Sequence, residues 1–150
     1  MTTTLEQWRP IEGLENIYEV SNLGRVRSLP REVLVLRKGK PVICRYAGKI
    51  LKPGRTKNGY LVVNIGHTGE QKVRTVHCLV AYAFLPPCPG CHGRSGWHID
   101  HINENKYDNR AENLRWLTHK DNNSTPGVKA RLRARPRNAL RNRFVKVESS

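Results

Sequence analysis

The 150-residue chain is short of acid: 12 Asp and Glu stand against 27 Lys and Arg, for a formal charge of +15. That imbalance disfavours a basic partner and makes a polyanion the natural one, because Lys and Arg displace the counterions condensed on nucleic acid. Long apolar runs are also lacking. No stretch of about 18 apolar residues occurs, so no transmembrane helix is expected. No amphipathic helix with large apolar residues suggests a seat on anionic lipid, so no membrane partner is expected. Met1-Thr-Thr-Thr-Leu-Glu6 has neither the basic start nor the apolar stretch of a secretory signal. With only four cysteines and no such signal, the expectation is a reducing compartment, the cytoplasm. Aromatic residues make up 7% of the chain, so any core is small.

The positive charge is unevenly placed. Residues 21–75 carry 13 basic and two acidic side chains, and residues 126–150 carry eight and one. Residues 76–125 carry five of each, and that neutral block is rich in His and Asn. The pattern is two gripping regions around a segment that does something else. Three regions follow: a β-rich part over 1–75, a compact module over 76–125 and a basic tail over 126–150.

Local patterns fill in the elements. Ile17-Tyr-Glu-Val20 and Arg25-Val-Arg-Ser-Leu29 read as strands around the turn Ser21-Asn-Leu-Gly24. Further strands are expected over 31–37 and 48–52, with a turn at Lys38-Gly39-Lys40. Residues 60–65 and 72–76 read as a hairpin joined by 66–71. His77 to Phe84 is a compact apolar helix with Thr75 as N-cap and Pro86-Pro87 as its stop. Trp97 to Ile102 and Leu114 to Thr118 are short strands. Thr118-His-Lys-Asp121 matches the capping box that starts a helix. The Arg-rich segment 128–144 permits a helix apart from Pro136.

Asp100, His101, Asn113 and Asn122 stand out within this strand–loop–strand–helix order. Two strands folded back under a helix can gather all four. A carboxylate and an amide oxygen are hard ligands suited to Mg²⁺ or Mn²⁺. A neutral imidazole titrates near working pH and can take a proton from water. Together they are a minimal set for one-metal phosphodiester hydrolysis. In a regular strand Asp100 and His101 face opposite sides, so they share a site only where the strand ends or bulges.

The segments His77-Cys-Leu-Val-Ala-Tyr-Ala-Phe84, Asp100-His-Ile-Asn-Glu-Asn-Lys106 and Asp108-Asn-Arg-Ala-Glu-Asn-Leu-Arg-Trp-Leu-Thr118 resemble the HNH endonucleases of the phage and intron-homing group. The resemblance implies a DNA endonuclease with His101 as general base. It makes Asn113 the central Asn that ties the loop to the strand and helps orient the base. Asp100 and Asn122 match the two metal ligands, although Asn122 stands where the family usually has His, and the adjacent Asn123 is an alternative. Trp8 to Gly13 and Tyr18 to Leu29 resemble the small N-terminal module often attached to these nucleases, which implies contact with DNA. The compartment becomes a bacterial or phage-infected host cell.

The fold class is therefore α+β: an antiparallel β-rich N-terminal half, a ββα-metal (His-Me finger) module, and a basic helical or disordered tail. The cofactor is Mg²⁺ or Mn²⁺ and the partner double-stranded DNA, bound by a monomer or a homodimer. Arg25, Arg27, Arg115, Arg131, Arg133 and Arg135 are candidate DNA contacts. His119, in the first turn of a helix, is placed to donate to a phosphate. Cys88-Pro-Gly-Cys91 followed by His92 offers half a zinc site, but Cys44 and Cys78 lie at irregular spacing. The reading is free thiols and no structural zinc. His77 reads as a packing residue, and Glu104, Asp108 and Glu112 as a solvated loop face. A DNA-binding regulator on the same scaffold is the rival reading, but a pure binder has no reason to keep Asp100, His101 and Asn122 together. An RNA-binding module is weaker, since no aromatic strand of the RNA-recognition type appears.

Overall fold

The computed structural model describes residues 5–67, 70–88, 96–118 and 121. The first strands are β1 (Trp8–Pro10), β2 (Tyr18–Ser21) and β3 (Val26–Ser28), followed by the ribbon strands β4 (Arg31–Arg37) and β5 (Lys40–Tyr46). Next come β6 (Lys49–Ile50), β7 (Gly54–Arg55), β8 (Leu61–His67) and β9 (Glu70–Thr75). Helix α1 (Val76–Phe84) leads to β10 (Trp97–His101), a 3-10 turn (Ala111–Asn113) and β11 (Leu114–Thr118). All strand pairs are antiparallel, in the sheets β1-β2-β3-β6, β4-β5, β7-β8-β9 and β10-β11. The chain is α+β with a β-rich N-terminal part, as expected from the sequence.

Strand alternation sets which side chains enter the core. Val20 and Val26 sit opposite each other across β2 and β3, and both are buried. On β8 the inward positions are Val63 and Ile65. Helix α1 adds Val76, Leu79, Val80 and Ala81, and β11 adds Leu114. One apolar cluster therefore joins the N-terminal sheets, the helix and the C-terminal hairpin. The helix starts at the expected cap residue, but the Thr75 side chain makes no capping hydrogen bond. It ends at Leu85, whose N–H still reaches the Ala81 carbonyl at 3.0 Å before the backbone extends into Pro86. Among the described residues no helix is long and apolar enough to cross a membrane.

Three elements depart from the sequence reading. Strand β5 was not expected, because Pro41 interrupts its pattern. It forms because Lys38 and Gly39 both take positive φ, 51° and 76°, the geometry of a two-residue hairpin turn. The resulting ribbon leaves Leu34, Leu36 and Ile43 exposed. The short strands β1 and β7 were also missed. Pairing of β8 with β9 runs out to His67 and Glu70, so the connection is shorter than the six residues anticipated.

Ile65 is 1% exposed, and Ile65→Ala should cost about 2–5 kcal/mol through the cavity it leaves. Leu36, 75% exposed on the ribbon, should cost no more than about 0.5 kcal/mol when changed to Ala. Urea denaturation of the two variants measures the difference.

Candidate active site

Strands β10 and β11 pair without a bulge from Trp97↔Thr118 to His101↔Leu114, and β10 stops at His101. The loop that follows is tied internally by Asn side chains. Asn113 donates through Nδ2 to Asn103 Oδ1 at 2.9 Å and to the Asp108 carbonyl at 2.8 Å. Its Oδ1 accepts the Asn103 N–H at 3.1 Å, and its backbone carbonyl accepts the Ile102 N–H at 2.9 Å. A buried amide with donor and acceptor both used in this way fixes the loop relative to the strand. Asp108, Asn103 and Arg110 form a second tie. The Arg110 guanidinium hydrogen-bonded to Asp108 holds that carboxyl down at about 2. Asp108 is thus part of the loop's structure and not simply a solvated face.

His101 is 6% exposed. Its Nε2 lies 3.0 Å from Asn109 Oδ1. Its ring and that of His77 meet edge to face at a centroid distance of 5.2 Å, and the Tyr60 ring lies tilted 5.0 Å from His77. The His77 Nδ1 is buried and, among the described residues, has no hydrogen-bond partner. Burial, reinforced by the neighbouring His101, pushes the His77 imidazole down to about 4. A neutral His77 presents no positive charge to the other ring.

Asp100 lies opposite Arg115 in the ladder, and its Oδ2 accepts from Arg115 Nε at 2.9 Å. A second contact from the same guanidinium reaches Oδ2 at 2.8 Å. Among the described residues no hydrogen bond reaches Oδ1. Since the ladder is regular, Asp100 and His101 project from opposite faces, and His101 is the last residue of β10. The structure therefore groups His101 with Asn109 and the Asn113-tied loop, and groups Asp100 with Arg115. Among the described residues no cluster of three or more His, Cys, Asp or Glu side chains forms a metal cage.

One half of the expected capping box at the end of β11 is present. Thr118 Oγ1 accepts the Asp121 N–H at 3.2 Å and donates to its carboxylate at 2.6 Å, with Asp121 helical. His119, Asn122, Asn123, Arg131, Arg133 and Arg135 lie outside the described residues, as does Cys91. Cys88 is disulfide-bonded, which corrects the expectation of a free thiol there. Cys44 and Cys78 are free.

Arg25 and Arg27 are engaged within the N-terminal sheet. Arg25 Nε donates to Glu6 at 2.8 Å and Arg27 Nε to Glu19 at 2.7 Å, while Trp8 lies under both guanidiniums. Sequence reasoning missed Asn109, which is 3% exposed. Asp-Asn-Arg reads as a turn, and nothing in the pattern separates a buried Asn from a surface one.

A strand-rich chain carrying this hairpin has the fold of an HNH homing endonuclease. Two family models match it, the NUMOD4 motif over residues 6–66 and the HNH endonuclease over 74–124. The chain belongs to the HNH endonuclease family. It is 35% identical over 116 residues to DNA endonuclease I-HmuI of Bacillus phage SP01, covering 77% of this chain and 55% of that one. HNH endonuclease L247 of Acanthamoeba polyphaga mimivirus is 30% identical over 119 residues, which is 78% of this chain and 25% of the viral one. The solved structure described as "DNA binding and cleavage by the HNH homing endonuclease I-HmuI" matches with a TM-score of 0.58 at 33% identity, over 85% of this chain and 66% of that one. The chain thus spans about half the length of the phage relative and a quarter of the viral one.

The depressed His77 value has a consequence for stability. Between its ordinary value of 6.5 and about 4, the unfolded chain holds a proton on this residue that the folded chain does not. Stability should therefore fall as pH drops through that window, by about 2 kcal/mol after allowing for partial solvent access. Thermal melts from pH 7 to pH 4 test this, and the His77→Phe protein should show a flatter profile.

Proposed function

We propose that the chain is a metal-dependent DNA endonuclease that hydrolyses phosphodiester bonds, with His101 as the general base. The observation that carries this is a buried imidazole held at the end of β10, next in sequence to a carboxylate with one oxygen that takes no hydrogen bond from the described residues. The likeness to I-HmuI, whose solved structure is described by its DNA binding and cleavage, supports the same reaction class. The cut is homing-type and site-preferring.

The donor set fits a hard divalent ion. Asp100 offers a carboxylate oxygen at the rim of the hairpin, and Asn122, or Asn123 beside it, would supply the second ligand. Mg²⁺ or Mn²⁺ bound there would stabilise charge on the phosphate and the leaving oxygen. His101 takes the proton from the attacking water. Asn113 keeps the loop closed behind the base. Arg115 holds the Asp100 carboxylate from one side, leaves Oδ1 for the ion, and faces the DNA.

Double-stranded DNA is the partner that the charge favours. Residues 1–75 supply one grip, residues 76–125 the chemistry and residues 126–150 a second grip. Arg25 and Arg27 have exposed side chains and reach phosphate by giving up Glu6 and Glu19. Arg131, Arg133, Arg135 and His119 complete the contact set.

Purified protein should nick or linearise supercoiled plasmid with Mg²⁺ and lose that activity in EDTA. The His101→Ala protein should bind DNA and cut about 10²–10⁴-fold more slowly. A wild-type single-turnover rate in that variant removes His101 from the mechanism, and binding without any cutting by the wild type points to a regulator.

Deleting residues 126–150 should weaken DNA binding and flatten its salt dependence, by about 0.9 in the log–log slope for each phosphate that the tail neutralises. The rate at saturating enzyme should change far less, because base and metal ligands precede Pro126. A sharp loss of thermal stability with an unchanged salt slope would make the tail a packing element.

A further inference from the structure

We propose that the Ser21–Gly24 turn of the N-terminal region positions the catalytic base, acting through Asn109, so that the NUMOD4 segment is part of the nuclease site as well as a DNA grip. This rests on the reading of His101 as the base.

The chain of contacts begins at His101. Asn109 donates through Nδ2 to the Tyr107 carbonyl at 3.3 Å, which leaves its Oδ1 facing His101 Nε2 at 3.0 Å. An amide oxygen only accepts, so Nε2 carries the hydrogen and the lone pair lies on Nδ1. Among the described residues His101 Nδ1 has no hydrogen bond, and it is not among the side-chain atoms sealed from solvent without a partner. The nitrogen able to take a proton from water is therefore the one that no described residue holds. Asn109 selects the tautomer and holds the ring.

Asn109 is in turn held by the N-terminal turn. Gly24 has φ +83°, and a Cβ placed on it would lie 3.0 Å from Asn109 Cβ and 3.2 Å from the Asn109 carbonyl carbon and oxygen. A side chain there would press on the Asn109 backbone and make it give by a few tenths of an ångström, besides straining the positive φ. Two residues earlier, the Asn22 carbonyl accepts the Ala111 N–H at 2.8 Å. The turn itself is anchored, since Asn22 exchanges hydrogen bonds with Gln7 through its backbone N–H and its Oδ1. Asn109 is thus fixed by the N-terminal turn on one side and by its own loop on the other. Asn109 and Gly24 are positioning residues, neither of which touches the water or the phosphate.

Gly13 provides a matched control. Its φ of +75° imposes the same backbone strain on any side chain, but a Cβ there meets nothing within 4 Å. The Gly24→Ala protein should bind DNA with near wild-type affinity and cleave about 10–100-fold more slowly in single turnover, the scale set by a misplaced reacting group. Gly13→Ala should lose some stability and keep the wild-type rate. Asn109→Leu should lose rate without losing DNA affinity, and Asn109→Asp, which keeps an acceptor oxygen, should recover part of it. Nitrogen-15 NMR of the full chain should find His101 in the Nε2–H form, with its resonances displaced in Gly24→Ala and unmoved in Gly13→Ala. An Nδ1–H tautomer in the wild type overturns the proposal whatever the activity. So does equal slowing of cleavage by Gly13→Ala and Gly24→Ala, or a wild-type rate in Asn109→Leu. If His101→Ala cuts normally, the reading of the base fails instead, and the NMR arm still decides whether the turn sets the tautomer.

Discussion

Helix α1 has apolar residues to bury on more than one side, and the fold follows from how that is done. Val80 and Ala81 are all but inaccessible, at 0% and 1%. Nine residues are too few for a helix to stand alone in water, so its stability comes from packing. Its neighbours are β1, β2, β8 and β9 on the N-terminal side and β10, β11 and the 3-10 turn on the other. The boundary between the two regions distinguished by charge therefore passes through a single apolar core. A helix shared in this way makes the placement of the hairpin depend on the N-terminal sheets.

Polar contacts at the surface follow the same seam. Lys106 donates to the Asn58 carbonyl at 2.7 Å and lies over the Tyr60 ring, and Arg55 covers Tyr107. Tyr60 is also the outer member of the aromatic group that includes His77 and His101. Buried imidazoles normally need partners. His77 lacks one at Nδ1 and stays neutral, and His101 has one at Nε2. Two rings of the same chemistry, 5.2 Å apart, thus have different hydrogen-bond surroundings.

Much of this was legible in the sequence because it depends on local rules. Alternation in Tyr18 to Val20 and Val26 to Ser28, the Thr118 to Asp121 capping box and the proline stop after α1 are all written in short spans. His101 and Asn113 stand out by residue type and spacing and come to one loop, whereas Asp100 is set beside Arg115. What was not legible depends on distant approach. Strand β5 is hidden by Pro41, even though the Lys38-Gly39 turn before it is legible. Asn109 looks like any turn former until Gly24, 85 positions upstream in the chain, is seen against it. The ion pairs that occupy Arg25 and Arg27 depend on Glu6 and Glu19 arriving from neighbouring strands, which charge counting does not show.

One cooperative core carries the candidate site. Native-state hydrogen exchange on the full chain measures this directly. The Ala111 amide, bonded to the Asn22 carbonyl across the seam, should open with the same free energy as the amides of β2, β3 and α1. Exchange of the Ala111 and α1 amides at a far lower opening free energy than those of β2 and β3 would mean that the N-terminal sheets fold separately and do not hold the β10–β11 hairpin in place.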